Sequence, residues 1–284
     1  MDSVFKKGKV ILAGAGPGDP DLITVRAANY LSRADVVLTD RLVSKEIISK
    51  YVSPSAEVIE VGKQCRRGVS TPQQTINELL VKYAMQGKLV VRLKGGDVSF
   101  FSNVMDELEI LVANEIAYEI VPGVTAASGA AAYAGIPLTA RDHATAVRFL
   151  TYYKSTVVSE AHWKELADTE DTLVFYMSSE TLDDLVNKLV AYKIDPAKQL
   201  AVIEQATTPY QQVYFSGLYD YEAKLKGREF LSPSLIIIGK VVALQEQFKW
   251  FEGSNAGEYY FKPLTGAVES IVHNDTIKKY ADRA

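Results

Sequence analysis

The stretch Arg92-Leu93-Lys94-Gly95-Gly96-Asp97 continues an apolar run that begins at Leu89. Its two glycines and its aspartate end that run abruptly. The pattern predicts a buried strand that stops at a binding loop. Paired glycines let the backbone approach a ligand closely and adopt positive φ, and a carboxylate accepts hydrogen bonds from hydroxyl or ammonium groups. No Lys-Ser or Lys-Thr pair follows Gly96, so the loop is not a phosphate loop of the Walker type.

Short apolar runs alternate with helical patterns on both sides of this loop. We predict strands at residues 10–13, 36–38, 58–61, 89–93 and 118–121, and helices at 25–33, 71–86 and 126–134. Thr71-Pro72 is typical of a helix start and Gly87 of a helix stop. The alternation predicts an α/β domain with a mostly parallel sheet.

A second unit follows Pro137-Leu138. We predict its strands at residues 147–151, 173–177, 200–204, 212–215 and 235–238, and its helices at 160–168 and 182–192. The stretch Val213-Tyr214-Phe215-Ser216-Gly217 predicts a hairpin turn, which favours a mixed sheet. The chain is therefore predicted to contain two α/β domains, residues 1–138 and 139–251, and an extension of unknown role at residues 252–284.

Composition narrows the class of protein. The 284 residues are 48% hydrophobic and 23% charged, which is typical of a soluble protein long enough for two domains. Residues 10–16 are too short and too rich in glycine for a signal peptide or a membrane span, so we expect a cytoplasmic protein. The single cysteine, Cys65, and three scattered histidines offer no disulfide and no metal-ligand spacing, so we expect no metal.

Charge is distributed unevenly along the chain. The net charge of -4 argues against a nucleic-acid partner bound through a basic surface. Several cations nevertheless lie in or beside the predicted loops, and the relevant residues are Arg41, Lys63, Arg66, Arg67, Lys94, Arg141 and Arg148. This grouping favours an anionic small molecule as the ligand.

The loop after the first predicted strand, Gly14-Ala15-Gly16-Pro17-Gly18-Asp19-Pro20, suggests a dinucleotide site, with Asp40 as the ribose-binding acid. That fingerprint requires a helix to begin within the glycine motif, so that its N-terminus meets the pyrophosphate. Here Pro17 and Pro20 intervene, and the first helix cap is Thr24. A dinucleotide oxidoreductase stays only as a third interpretation.

A series of motifs resembles the tetrapyrrole methylase family, and within it the S-adenosylmethionine-dependent uroporphyrinogen III C-methyltransferases. The similar stretches are Gly14 to Pro20, Asp40-Arg41-Leu42-Val43-Ser44, Val61-Gly62-Lys63, Val91 to Asp97, Val121-Pro122-Gly123-Val124-Thr125-Ala126-Ala127, Gly135-Ile136-Pro137-Leu138-Thr139, Leu173 to Met177 and Ser232 to Gly239. They follow one another in unbroken order across residues 9–251. Asp-Arg-Leu-Val-Ser and Arg-Leu-Lys-Gly-Gly-Asp are the most specific of them.

The resemblance implies a homodimer whose cofactor, S-adenosylmethionine, lies in the cleft between the two α/β domains and leaves as S-adenosylhomocysteine. The residues that the resemblance places against the cofactor are Pro17, Gly95, Gly96, Asp97, Phe100, Thr125, Ala126, Met177 and Ala206. Asp97 suits the ribose hydroxyls or the ammonium group, and Met177 suits adenine. Plain core packing beside Phe175 is the alternative for Met177.

The implied reaction is C-methylation of uroporphyrinogen III at two pyrrole rings to give precorrin-2, in sirohaem or cobalamin biosynthesis. The resemblance makes Asp40 the proton acceptor and Lys63 a proton donor or carboxylate clamp. Asp40 also suits a turn cap, and Lys63 a surface cation. Arg41, Arg66 and Arg141 are candidate substrate ligands, because guanidinium pairs bidentately with the carboxylates of the macrocycle.

The chain departs from the family pattern after Asp97. The family usually continues with Pro-Phe and a Gly-Arg-Gly-Gly-Glu-Glu loop, whereas this chain has Val98-Ser99-Phe100-Phe101-Ser102-Asn103-Val104-Met105-Asp106-Glu107. Asn103 replaces an arginine, and Ala140 replaces a histidine. Val104 and Met105 resist positive φ, so a less permissive loop is expected. Methylation of a different tetrapyrrole, or a non-catalytic tetrapyrrole-binding role, therefore stays open.

Overall fold

The computed structural model describes residues 6–64, 69–153, 158–254 and 257–262. These residues form two five-stranded sheets with helices packed on both faces, and a short hairpin of β4 (Lys63–Gln64) and β5 (Val69–Ser70). No helix in these ranges combines the length and the apolar character needed to cross a membrane.

The first sheet, predicted to be mostly parallel, is entirely parallel. Its strands are β1 (Lys9–Gly14), β2 (Val36–Thr39), β3 (Glu57–Glu60), β6 (Leu89–Lys94) and β7 (Ala117–Val121), in the order β3-β2-β6-β1-β7. One face packs against α1 (Val25–Leu31) and α2 (Lys45–Tyr51), and the other against α3 (Gln73–Met85) and α4 (Val104–Ala113). Val10, Leu12, Val90 and Leu93 are fully buried.

The helix boundaries follow local signals in the sequence. Thr24 caps α1 by accepting a hydrogen bond from the Ala27 amide, and Ser44 caps α2 in the same way. Pro72 precedes α3, and Gly87 follows its end at a φ of +79°. Glycine adopts this left-handed conformation without steric cost, so the predicted stop at Gly87 is confirmed.

The strand order places a topological switch point between β1 and β6. From β1 the chain runs through α1 to β2 on one side, and from β6 it runs through α4 to β7 on the other. In open parallel sheets, ligands bind in the crevice at the carboxyl ends of strands where the connections diverge. The loops after Gly14 and Lys94 flank that crevice.

The second sheet is mixed, as predicted. Its strands are β8 (Val147–Thr151), β9 (Thr172–Tyr176), β10 (Gln199–Glu204), β11 (Gln212–Gly217) and β12 (Ser234–Gly239), in the order β11-β10-β12-β9-β8. Only β8 and β9 are parallel to each other as neighbours. Its helical elements are α6 (Glu160–Asp168), α7 (Leu182–Ala191), α8 (Tyr221–Lys224), α9 (Gln245–Phe248) and the 3-10 turns Ser179–Thr181 and Lys240–Leu244.

The predicted hairpin turn at residues 213–217 is wrong in position. Ser216 and Gly217 lie inside β11, and Gly217 pairs with Gln199 of β10. The turn that makes β10 and β11 antiparallel is residues 205–211, where Gln205 and Thr207 have positive φ. Sequence reasoning missed it because neither of these left-handed residues is a glycine.

Helix α5 (Ala126–Ala134) connects the two sheets. It follows β7 of the first sheet, but Ala127, Ala130 and Ala134 pack with Ile203 of the second. A Cβ placed on Gly129 would lie 2.5 Å from Pro17 Cγ, so the absence of a side chain lets α5 approach the first loop. The domain boundary at residue 138 stays a prediction, since α5 already belongs to the core of the second sheet.

A chain of four charged side chains lies at the end of β6. Glu107 of α4 forms an ion pair with each of two cations of β6. Its Oε1 lies 2.9 Å from Arg92 Nε, and its Oε2 lies 2.9 Å from Lys94 Nζ. Arg92 Nη2 also contacts Asp40 Oδ1 at 2.5 Å. Arg92, Lys94 and Glu107 are almost fully buried, whereas the Asp40 side chain is 26% exposed. The network therefore links the interior of the first domain to its loop edge.

The surroundings of this network shift the pKa values of its two cations in opposite directions. Burial opposes the charged form of Arg92, but the carboxylates of Asp40 and Glu107 outweigh it and raise the pKa of Arg92. Burial and the neighbouring Arg92 charge lower the pKa of Lys94. Glu107 is therefore the shared partner that offsets two buried positive charges.

Replacing Glu107 by alanine leaves Arg92 and Lys94 buried without their shared carboxylate. We expect Glu107→Ala to lower the free energy of unfolding by about 3–5 kcal/mol in urea denaturation. The matched control is Glu109→Ala on the exposed side of α4, expected to change it by less than about 0.5 kcal/mol. Equal losses in the two variants would contradict the structural role of Glu107.

Candidate active site

Three loops at the carboxyl edge of the first sheet touch backbone to backbone. Gly16 and Gly96 form a bridge in which each amide donates to the other's carbonyl, at 3.1 and 2.7 Å. A Cβ on Gly123 would lie 2.3 Å from the Gly96 carbonyl oxygen and 2.8 Å from Gly14 Cα. Gly14 and Gly123 leave no room for a side chain, so the three motifs form one surface.

Asp97 joins two of these loops through hydrogen bonds. Its Oδ1 accepts a hydrogen bond from the Ser99 amide, and its Oδ2 accepts one from the Gly123 amide, both at 2.8 Å. The residue is buried. The predicted cofactor ligand therefore already has a structural role, and each oxygen keeps further acceptor capacity for a ligand.

The loop that departs from the family pattern closes against the second domain through aromatic contacts. Phe100 packs edge-on to Phe149 with ring centres 5.3 Å apart, and Phe101 lies 4.8 Å from Tyr176. The Tyr176 hydroxyl lies 2.7 Å from Thr125 Oγ1 and accepts from the Ala127 amide at 3.1 Å. Tyr176 thus joins the end of β9 to the start of α5 and to the loop after β6.

The strain expected at Val104 and Met105 is absent. Both residues lie in the first turn of α4, and the left-handed residues are instead Phe101 and Asn103, with φ of +52° and +51°. Asparagine tolerates this conformation better than most residues. The loop therefore keeps a sharp turn without the family glycines.

Met177 directly follows β9 and is held at a φ of +54°. The residue is 39% exposed, and Tyr153 Oη lies 3.0 Å from its sulfur. The alternative of core packing beside Phe175 is therefore wrong. A left-handed, partly exposed methionine at a strand end is available for an apolar ligand face.

The loop that carries Ala206 meets the first loop of the chain. A Cβ on Gly18 would lie 3.1 Å from the Ala206 carbonyl oxygen, and the Asp19 amide donates to Thr207 Oγ1 at 3.0 Å. Ala206 is buried, whereas Pro17 is partly exposed. Predicted cofactor residues from both domains thus lie around one interdomain edge.

The predicted acid-base residue Asp40 lies at the same edge. Its carboxylate pairs with Arg92 rather than capping the turn that follows it. The neighbouring Arg41 donates to the Ser232 hydroxyl and to the Phe261 carbonyl, both at 3.3 Å. Arg41 therefore spans from the first domain to the second.

The remaining cations have different environments. Arg141 is exposed, in a turn between the two domains. Arg148 forms ion pairs with Asp171 and Glu165, which already offset its charge. Lys63 lies in β4, but its side chain, like all of Arg66, falls outside what the structure describes.

The edge fits S-adenosylmethionine. The ligand carries a carboxylate, an ammonium group, ribose hydroxyls and an adenine ring, which need polar backbone and apolar side chains together. Gly95, Gly96, Thr125 and Ala126 are partly exposed, and the Ala126 amide would lie 3.7 Å from a Cβ on Gly96. Among the described residues, no group of three or more His, Cys, Asp or Glu side chains is arranged to hold a metal.

Sequence reasoning missed two features of the site. The ion pair of Arg92 with Glu107 was not predicted, although an arginine within an apolar strand is a signal of a buried ion pair. Tyr176 was missed as well, since an aromatic residue in a buried strand predicts only core packing. Its hydroxyl bonds depend on the packing of α5 against β9.

Comparison with known proteins places this site in a family. Residues 9–221 match the family model of the Tetrapyrrole (Corrin/Porphyrin) Methylases. A siroheme synthase from Saccharophagus degradans is 44% identical over 250 residues, which are 88% of this chain and 54% of that protein. Another from Ectopseudomonas mendocina is 46% identical over 247 residues, or 87% and 53%. The chain thus spans about half the length of these curated relatives.

Solved structures of similar fold lead to the same family. A cobalt precorrin-4 methyltransferase superposes with a TM-score of 0.73 at 29% identity, covering 82% of this chain and 95% of that one. A uroporphyrin-III C-methyltransferase from Thermus thermophilus, complexed with S-adenosylhomocysteine, gives 0.68 at 32% identity, covering 83% and 93%. The predicted fold and methyltransferase class are confirmed, and the chain belongs to the tetrapyrrole methylase family.

Proposed function

We propose that this chain transfers methyl groups from S-adenosylmethionine to two pyrrole rings of uroporphyrinogen III, giving precorrin-2 for sirohaem or cobalamin biosynthesis. The observation that carries the proposal is the convergence of the Gly95 to Asp97 loop, Thr125, Met177 and Ala206 at one interdomain edge. The similarity to a uroporphyrin-III C-methyltransferase bound to S-adenosylhomocysteine supports the same assignment.

We expect the chain to accelerate the reaction mainly by positioning the cofactor and the substrate relative to each other. S-adenosylmethionine supplies an electrophilic sulfonium methyl, and the pyrrole carbons of the macrocycle are nucleophilic. Correct alignment of the reacting atoms is worth up to about 7–11 kcal/mol of the barrier. The glycine contacts and the aromatic contacts of Phe100 and Phe101 fix the walls of the cleft.

Proton transfer and charge recognition complete the mechanism. Methylation of a ring leaves a cation that must lose a proton, and Asp40 is the proposed acceptor, since its partly exposed carboxylate is oriented by buried Arg92. Lys63 is the proposed proton donor or carboxylate clamp. Arg41, Arg66 and Arg141 are proposed to bind some of the eight carboxylates of the macrocycle.

A second candidate is methylation of a different tetrapyrrole or corrin precursor. Asn103 in place of the family arginine removes a positive charge beside the cleft. The structure also superposes well on a cobalt precorrin-4 methyltransferase. Both observations favour a changed substrate rather than a changed cofactor. We further propose a homodimer in the cytoplasm with a small-molecule substrate and no nucleic-acid partner.

The direct test supplies the full chain with S-adenosylmethionine and enzymatically prepared uroporphyrinogen III and determines product masses. We expect a gain of two methyl groups per macrocycle. Tight S-adenosylhomocysteine binding without any methyl gain would refute uroporphyrinogen III as the acceptor. Parallel incubation with methylated corrin precursors then identifies the alternative substrate.

Asp97 is expected to be essential for the cofactor. Asp97→Ala removes the carboxylate proposed to bind the ligand and frees the Ser99 and Gly123 amides that shape the loop. We expect calorimetry to give an S-adenosylhomocysteine affinity at least about tenfold weaker, since charge-assisted bonds contribute about 1.5–3 kcal/mol. The control is Asp106→Ala, an exposed carboxylate on α4. Equal affinity of Asp97→Ala and the parent would refute the assignment.

Arg141 is expected to affect only the substrate. Its exposed guanidinium is proposed to pair with a substrate carboxylate, so Arg141→Ala should raise KM for the tetrapyrrole about tenfold. Its affinity for S-adenosylhomocysteine should equal that of the parent. Arg33→Ala, an exposed arginine just after α1, is the matched control. A KM unchanged in Arg141→Ala would remove this residue from the substrate site.

A further inference from the structure

The chain crosses back from the second domain to the first after α9. We call residues 253–254 and 257–262 the strap. They lie beyond residues 9–221, the part that matches the family model, so the family pattern does not account for them. Phe261 is nevertheless buried, with 3% of its surface exposed. A segment with a buried aromatic side chain is part of the folded domain rather than a loose end.

The strap first follows the turn between β10 and β11. The Ser254 amide donates to the Pro209 carbonyl at 2.6 Å. The side-chain amide of Gln205 then makes two hydrogen bonds to the strap backbone. Its Nε2 donates to the Glu258 carbonyl at 2.8 Å, and its Oε1 accepts from the Tyr260 amide at 2.7 Å. Gln205 is fully buried and directly precedes Ala206.

The strap then reaches the first domain. The Tyr260 hydroxyl donates to Glu46 Oε2 at 2.6 Å, and the Tyr260 ring lies 5.4 Å from that of Tyr210. The next residue, Phe261, offers its carbonyl oxygen to Arg41 Nη1 at 3.3 Å. Burial and the bond to Glu46 raise the pKa of Tyr260, so its hydroxyl stays protonated as a donor across the physiological range.

These contacts join the two walls of the proposed cleft. One end of the strap holds the turn that carries Ala206, and the other holds the segment from Asp40 to Glu46 at the mouth of the first domain. Gln205 and Tyr260 are uncharged, so their hydrogen bonds to the strap and to Glu46 need no ligand to complete them. The strap is therefore placed to fix the relative position of the two walls.

We propose that Tyr260 is a positioning residue, which acts through Glu46 and through the Phe261–Arg41 contact to hold the Asp40 to Glu46 segment in the orientation that binds the tetrapyrrole. This inference rests on the proposed function, because that segment is the proposed substrate wall. It predicts a loss of substrate binding when the hydroxyl of Tyr260 is removed, with little change in the chemical step.

The test uses the full chain and three variants. Tyr260→Phe removes the hydroxyl and keeps the ring on Tyr210, Glu46→Ala removes its acceptor, and Glu46→Gln keeps an acceptor oxygen. We expect the first two to raise KM for uroporphyrinogen III by on the order of fivefold, with kcat within twofold of the parent, and Glu46→Gln to stay close to the parent. Tyr259→Phe, the exposed neighbour, is the control.

Coupling and exchange measurements complete the test. The double variant of Tyr260→Phe and Glu46→Ala should be no worse than either single variant, since both remove one bond. Amide exchange at Val43 and Ile47, the turn and first-helix amides of the wall, should be faster in Tyr260→Phe. Unchanged exchange together with an unchanged KM would overturn the role of the strap. If the parent transfers no methyl to uroporphyrinogen III, the proposed function fails, while the exchange result still decides the role of the strap.

Discussion

The buried interaction of Arg92 and Lys94 with Glu107 is the constraint on which the candidate site depends. Two positive charges in the interior are stable only while a carboxylate pairs with both, and α4 supplies it. The pairing therefore holds α4 against the end of β6. Because residues 95–103 connect β6 to α4, it also restricts the position of that loop. The outer end of the same network holds Asp40 at the cleft.

The glycines make the second contribution. Gly14 and Gly123 leave no room for a Cβ where the loops of different strands meet, Gly96 turns at a φ of +71°, and Gly129 lets α5 approach Pro17. A crevice at the switch point of the first sheet is thereby closed on one side by the second domain. Tyr176 joins the parts, since its hydroxyl contacts Thr125 and the amide of α5 while its ring packs on Phe101.

Sequence reasoning predicted the layers of the fold well, because strands such as β6 and helices such as α5 carry their signals locally. The family motifs likewise indicated the loops that touch at the edge of the first sheet, since glycine and aspartate patterns reflect the same backbone contacts that the structure contains. Long-range pairings were not predictable in this way. The bonds of Asp97 to Gly123, of Glu107 to Lys94 and of Gln205 to the strap depend on residues far apart in the chain. The turn at residues 205–211 was missed because its left-handed residues are not glycines.

The site assignment rests on the claim that the cofactor binds where the loops of the two sheets meet. A crystal structure of the chain with S-adenosylhomocysteine tests it most directly. We expect the ligand between the Gly95 to Asp97 loop and the Met177 and Ala206 side of the cleft, with Thr125 and the start of α5 in contact. A ligand bound in the apolar groove beside Ala132, Ile136 and Phe248, or elsewhere on the surface, would contradict the claim.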